Sequence, residues 1–145
     1  LSLVGSEMCI RDRYDPKDKS MRRLTFDQDA NWNPVIMNNG RVMYTRWEYT
    51  DLTHYYSRIV MHMNPDGTEN KALYGSGAMF PNSTFDVQPL PGHGSAFVGI
   101  ISGHHGVARS GRMIIFDPTK GRKSTAGMVQ EIPHRNRPIK EESKD

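Results

Sequence analysis

The sequence predicts an all-β protein, a fragment of a β-propeller with about two four-stranded antiparallel blades. Two observations support this fold prediction. An apolar strand that runs into a turn containing Pro, Asp and Gly occurs twice, at residues 61–68 and 114–121. The turn landmarks Asn64 and Asp117 are 53 positions apart, and the strand landmarks Val42 and Phe97 are 55 apart. A strand-and-turn unit that recurs at about fifty residues is typical of repeat β architectures, propellers among them.

The predicted strands account for most of the chain. In the first unit they occupy residues 21–26, 35–37, 41–47, 58–63 and 71–74, and in the second 85–90, 96–101, 112–116 and 129–132. These stretches are alternating or continuous runs of β-branched, aromatic and other apolar residues. Residues 27–33 are predicted to be a loop because Asp and Asn favour turns. Asn38-Asn39-Gly40 is predicted to be a hairpin turn.

Composition agrees with a loop-rich β protein. The 145 residues include 13 Gly and 9 Pro, with 36% apolar residues. No apolar run approaches the roughly 20 residues that a membrane-spanning helix needs. The net charge of +3 is dispersed, and the only adjacent basic pairs away from the ends are Arg22-Arg23 and Arg122-Lys123. Nucleic acid and a membrane span are therefore not expected among the partners.

Both ends of the chain are set apart from the repeat. Residues 1–13 look like translated read-through of a sequencing adapter and are excluded from fold reasoning. They contain the only cysteine, Cys9, so disulfides, thiolate metal sites and a cysteine nucleophile are unsupported. Residues 134–145 are polar and mixed in charge, as expected of a truncated tail or linker. Residues 14–133 are then a partial propeller, with blade repeats at about 21–74 and 75–132.

A propeller closes with about four to eight blades, and each blade is stabilised mainly by its neighbours. With about two blades, the isolated chain is expected to be marginally stable and to expose unpaired edges. The total number of blades is not fixed by the sequence.

Five segments in order resemble the middle domain of hydrazine synthase alpha subunits and their relatives. They are residues 44–51, 63–68, 80–83, 102–106 and 116–121. The Asn-Pro-Asp-Gly-Thr phrase within them is shared with TolB-like propellers and related WD40-like repeats. The resemblance covers roughly residues 21–139. It implies a β-propeller in a large periplasmic or otherwise exported bacterial protein. In the namesake enzyme, flanking cytochrome domains carry the haems that join nitric oxide and ammonium-derived nitrogen.

Two functions stay open. In the first, the chain belongs to a non-catalytic binding or scaffold module whose partners are flanking domains of the same polypeptide, or a protein or small molecule at the propeller channel. The alternative is the propeller domain of a multihaem c-type redox enzyme. Covalent haem attachment needs Cys-x-x-Cys-His, which this chain lacks, so haem c belongs at most to flanking domains. The chain also lacks the phosphate-loop, zinc-protease, hydrolase and dinucleotide-binding motifs.

His104 and His105 are the candidate metal ligands. They lie in a Gly-flanked segment after a predicted buried strand. In an extended segment the two side chains would point to opposite faces, whereas in a turn both could bind one ion. The interpretations are a ligand, metal or haem-facing role, or a pair of loop imidazoles hydrogen-bonded to backbone carbonyls. The remaining histidines are expected to have surface or packing roles; they are His54, His62, His93 and His134.

The second candidate site is an aromatic and acidic stretch at the end of a predicted strand. It comprises Trp47, Glu48, Tyr49 and Asp51. Aromatic and carboxylate side chains on a long loop often line a binding face. Trp and Tyr at the edge of a blade also cover the seam between blades, and both interpretations stay open.

Overall fold

The computed structural model describes residues 2–7, 10–27, 30–48, 58–76, 81, 83–102 and 111–132, and within these residues the chain forms eleven strands and no helix. The all-β prediction is therefore confirmed. The strands are β1 Ser2–Glu7, β2 Ile10–Asp15, β3 Ser20–Arg23, β4 Ala30–Ile36, β5 Val42–Trp47, β6 Arg58–Met63, β7 Lys71–Tyr74, β8 Ser83–Pro89, β9 Phe97–Ser102, β10 Arg112–Phe116 and β11 Met128–Ile132.

The first three strands form a small antiparallel sheet in the order β1-β2-β3. Two hydrogen bonds join β2 to the segment after β3, from the Leu24 amide to the Arg11 carbonyl at 2.8 Å and from the Arg11 amide to Thr25 Oγ1 at 2.9 Å. The strand predicted at residues 21–26 is thus shorter and pairs with β2 rather than with the repeat.

The other eight strands form two consecutive antiparallel meanders. Strands β4 to β7 pair in chain order and are called the first meander; β8 to β11 do the same and are called the second meander. One parallel pairing, between Arg58 and Ser83, joins them. Each meander is a four-stranded antiparallel unit.

The two meanders repeat each other residue by residue. Across the first meander the pairing gives the row Trp32, Thr45, Val60 and Tyr74. Across the second meander it gives the row Phe85, Ile100, Met113 and Ile132. Trp32 and Phe85 each precede a register shift in the first strand of their meander. The repeat that the sequence suggests therefore extends to strand register.

The predicted loop at residues 27–33 is wrong in its second half, because β4 begins at Ala30. Asn33 has a φ of 50° and lies within the register shift between Trp32 and Val35. Such a β-bulge accommodates Pro34, which cannot donate to the ladder, and the strand then resumes. The tolerance of Asn for left-handed φ thus serves a bulge here rather than a loop.

The predicted hairpin turns are present and use the same geometry. Gly40, with a φ of 80°, donates its amide to the Met37 carbonyl at 2.9 Å. Gly67, with a φ of 88°, donates in the same way to Asn64 at 2.9 Å. A three-residue hairpin loop needs a residue with positive φ at its end, which Gly adopts without a steric penalty.

Alternate residues of the first meander enter two different cores. The first core lies between the meanders; its buried members are Met37, Met43, Val60, Leu73, Tyr74, Val87, Phe97, Ile101, Ile114 and Phe116. The second core lies on the opposite face of the first meander; its buried members are Leu24, Val42, Tyr44, Ile59, Met61 and Met63. Since the first core takes side chains from one face of each meander, the meanders pack face to face.

Candidate binding pocket

Three connections of the repeat leave from the same end of the strands. Residues 48–57 join β5 to β6, residues 75–82 join β7 to β8, and residues 103–111 join β9 to β10. In antiparallel meanders these three junctions lie at one edge, whereas the connections at residues 37–41, 64–70, 90–96 and 117–127 lie at the other. Binding sites are often found at the edge of a rigid scaffold where strands end and connections begin.

A pocket of about 300 Å³ lies at this edge, where the two meanders meet. It takes side chains from β4, β5, β6 and β8; they are Trp32, Asn33, Thr45, Trp47, Arg58 and Phe85. Since β4 and β8 are the first strands of their meanders, the pocket spans the junction between the two repeats.

Arg58 is the charged centre of the pocket and is only 4% exposed. Its Cζ lies 4.6 Å from the ring centroid of Trp47, 5.3 Å from that of Phe85 and 5.4 Å from that of Trp32. A guanidinium at these distances from aromatic faces is stabilised by the ring quadrupoles. Trp32 and Trp47 also stack on each other, with centroids 5.8 Å apart and planes 28° apart.

Two matched bulges set the positions of the pocket's aromatic side chains. Asn33 follows Trp32, and Asp86 follows Phe85, 53 residues later. Asn33 and Asp86 have φ values of 50° and 48°, and Asn33 Nδ2 donates to Asp86 Oδ1 at 2.8 Å. The bulges of the two meanders are therefore bonded to each other, which fixes the spacing of Trp32 and Phe85 around the Arg58 guanidinium.

The neighbouring cation, Arg46, has its own partners. Its Nη2 lies 2.6 Å from Asp27 Oδ2 and donates to the Tyr44 hydroxyl at 3.0 Å. Burial raises the pKa of Tyr44, so the phenol stays protonated and can donate in turn to Asn70 Oδ1 at 2.8 Å. Arg46 thus has its charge matched by a carboxylate outside the pocket.

A polar cluster lies at the opposite edge, between the hairpin turns of the first meander. Arg41 Nε donates to His62 Nδ1 at 2.9 Å, and Arg41 Nη1 contacts both Asn64 Oδ1 and Glu69 Oε2. Burial, together with the positive charges of Arg41 and Lys71, lowers the pKa of His62 to about 4. His62 is therefore a neutral acceptor at physiological pH, and it is buried within the first meander.

Of the six candidate residues from the sequence, the structure places Trp47 in the pocket wall. Glu48 follows it directly, is partly exposed and does not line the pocket. The other four, Tyr49, Asp51, His104 and His105, lie outside the described residues. The part of the chain that the structure describes holds no group of three or more His, Cys, Asp or Glu side chains able to bind a metal ion.

Sequence reasoning misses the other five residues of the pocket, among them the two further aromatic rings and the cation. Trp32 lies in the predicted loop, Phe85 lies in a predicted strand with no assigned role, and Arg58 stands at the polar start of another predicted strand. A signal for two of them is available, since Trp32-Asn33 and Phe85-Asp86 share the 53-residue spacing of the turns. Nothing in the sequence marks Arg58 as buried.

Comparison of the chain with protein-family models, with curated proteins and with solved structures found no match. Among the described residues no helix is long and apolar enough to cross a membrane.

Proposed function

We propose that the chain is part of a β-propeller domain of the kind found in hydrazine synthase alpha subunits and related proteins. In this proposal it acts as a non-catalytic binding or scaffold module within a larger exported bacterial protein. The observation that supports the proposal most is the pair of successive four-stranded meanders sharing one core. Units of this size that stack on each other through their faces are what a propeller is built from.

The binding role rests on the pocket at the junction of the two meanders. Aromatic walls offer stacking surfaces, and a guanidinium favours carboxylate or phosphate groups. Arg58 brings a positive charge into this wall, 4.6 Å from the centre of the Trp47 ring. The ligand that fits this chemistry is a small planar group with a negative charge.

Both tryptophans of the chain line the pocket, so their emission reports on it alone. Titration with benzoate is expected to change this emission in a saturable way, and the neutral isostere benzamide is expected to give a weaker response. Arg58→Gln should abolish the difference between the two probes. Arg22→Gln, which removes the same charge from an exposed position of β3, should preserve it.

An equal response to benzoate and benzamide would contradict the anionic preference, and no response to either would contradict the pocket's binding role. Because Arg58→Gln removes a buried residue, far-ultraviolet circular dichroism must first show that the variant is folded. Phe85→Leu gives a second variant that retains the charge; it is expected to weaken benzoate binding by removing one stacking surface.

A pyridine haemochrome spectrum of the longer polypeptide tests the non-catalytic assignment. Absence of covalent haem is expected. Haem bound to flanking domains would favour the multihaem redox enzyme instead. For His104 and His105, zinc titration of the chain and of a variant with both residues replaced by Ala tests the metal interpretation, and equal binding would remove it.

A further inference from the structure

The second meander presents an apolar face that is not covered within the described residues. Five apolar side chains of β9, β10 and β11 lie on this face, called the outer face: Val98, Ile100, Met113, Ile115 and Ile132. Two exposed glutamines flank them on the same face, Gln88 opposite Val98 and Gln130 opposite Ile115. Met113 is 43% exposed and Ile132 37% exposed, and the other three are partly exposed. A contiguous apolar face of this kind on a sheet usually marks an interface.

We infer that the outer face is the docking surface for a third four-stranded antiparallel unit of the same repeat. The equivalence of the two meanders supports this inference. Met113 and Ile132 occupy the positions that Val60 and Tyr74 occupy in the first meander. Val60 and Tyr74 are both 0% exposed, because the second meander packs on them. The same position is therefore covered in one repeat and uncovered in the next.

At two positions the outer face is more apolar than its buried counterpart, whereas at a third Gln88 stands where the first meander has Val35. Ile100 stands where the first meander has Thr45, and Ile115 stands where it has His62. Thr45 and His62 are polar side chains whose burial requires hydrogen-bond partners, whereas two isoleucines require none. At these two positions, burial of the outer face requires no hydrogen-bond partner.

The partner's own surface follows from the interface already formed. The first meander is covered by a face that presents Phe97, Ile101, Ile114 and Phe116. Phe116 stacks on Tyr74 with ring centroids 4.4 Å apart. A third unit is expected to present apolar side chains at these positions. It needs no aromatic ring at the position equivalent to Phe116, because the outer face has Ile132 where the first meander has Tyr74.

A second copy of this chain does not fit the outer face in the same manner. The interface is heterologous, because the faces that meet are different faces of the repeat. The face of the second meander that covers the first meander is already buried in the first core. The equivalent face of the first meander is packed against Leu24 in the second core. The occupant is therefore a further repeat of the longer polypeptide. This inference rests on the repeat behind the proposed function but not on the ligand pocket.

Oxidative footprinting tests the inference without any substitution. The chain and the longer polypeptide are each exposed to hydroxyl radicals, and oxidation of Met113 is followed by mass spectrometry, with Met21, which is 63% exposed in β3, as internal reference. Relative to Met21, oxidation of Met113 is expected to be about tenfold slower in the longer polypeptide. An equal ratio in both proteins would overturn the inference.

The variant Met113→Lys gives an independent readout, with Met21→Lys as the matched control. In the 145-residue chain both are expected to leave the Tm nearly unchanged. In the longer polypeptide Met113→Lys should lower the Tm by about 5 °C or more, because the charge is buried, while Met21→Lys should not. Protection of Met113 that appears only at high protein concentration would assign the face to a second copy and overturn the inference. Neither result depends on benzoate binding or haem content, so failure here is separable from failure of the binding role proposed for the pocket.

Discussion

Replacing Phe116 with Ala should destabilise the first meander as well as the second. Phe116 is fully buried in the core between the meanders, and its ring stacks on Tyr74 at 4.4 Å and on Phe97 at 5.5 Å. Truncating a buried Phe to Ala costs about 3–5 kcal/mol, which includes the cavity and the lost ring contacts. With an m-value of about 2 kcal/mol/M, the urea midpoint should fall by about 2 M.

The assay uses the location of the fluorophores. Trp32 and Trp47, the only tryptophans, both lie in the first meander, whereas Phe116 lies in β10 of the second. If the two meanders unfold as one unit, the tryptophan transition moves together with the circular dichroism transition. If the Ala variant is unfolded, Phe116→Leu replaces it in the same test, because this substitution is expected to lower the free energy of unfolding by only about 1 kcal/mol.

The matched control is Met113→Ala, three residues earlier on the same strand but on the outer face. It should cost well under 1 kcal/mol in the isolated chain, because Met113 is 43% exposed. An unchanged tryptophan transition in Phe116→Ala, with a shifted circular dichroism transition, would show that the meanders unfold independently and would refute the shared core.

Three further predictions concern pH, a turn and the chain's start. Stability should fall as the pH is lowered from about 6.5 to about 4, because burial holds the pKa of folded His62 at about 4 while the unfolded side chain binds a proton near its ordinary pKa of 6.5. Gly67→Ala should lower the free energy of unfolding more than Gly40→Ala does. Each substitution places Ala at a positive φ, which costs about 1–2 kcal/mol, but only at Gly67 would the new Cβ lie 2.9 Å from a backbone oxygen. Peptide mapping of the natural protein should lack residues 1–13.

Each of these has a control. His62→Gln should flatten the pH dependence of the urea midpoint between pH 4 and 6.5, and an unchanged slope would assign it to other groups. If Gly67→Ala and Gly40→Ala lower the free energy of urea unfolding equally, the backbone of Leu24 does not lie close to Gly67. Detection of a peptide from residues 1–13 would show that this segment is native.

The repeat is predictable because turn chemistry is local. Asn64-Pro65-Asp66-Gly67 specifies a reversal with one left-handed residue, and the chain around it supplies no competing structure. The apolar strands that enter the turns, such as Arg58–Met63, follow from composition and length. Which face each side chain takes follows from alternation, so Val42 and Met43 enter different cores.

The first strand of the repeat is harder to predict. Residues 27–33 contain the Asp and Asn residues that mark loops, and only the partner strand shows that Asn33 is a bulge within β4. Strand pairing is non-local, so local propensity alone cannot distinguish a loop from a bulged strand. Comparing positions 32–33 with positions 85–86 reveals the strand, since each pair is an aromatic residue followed by Asn or Asp.

The pocket is predictable only in part. Trp47 can be identified because an aromatic side chain stands at the start of a long connection. Arg58 cannot, because its burial depends on rings from three other strands that meet only in the folded chain. A charged residue at the start of a strand is ordinarily solvated, and tertiary packing reverses that expectation here.

One nuclear Overhauser measurement tests whether the two repeats pack face to face. The rings of Tyr74, in the last strand of the first meander, and Phe116, in the second, have centroids 4.4 Å apart. In the isolated chain, strong cross-peaks between the ring protons of these two residues are expected. Their absence from a folded sample whose Tyr74 and Phe116 resonances are assigned would contradict the shared core and the stacking of the repeats.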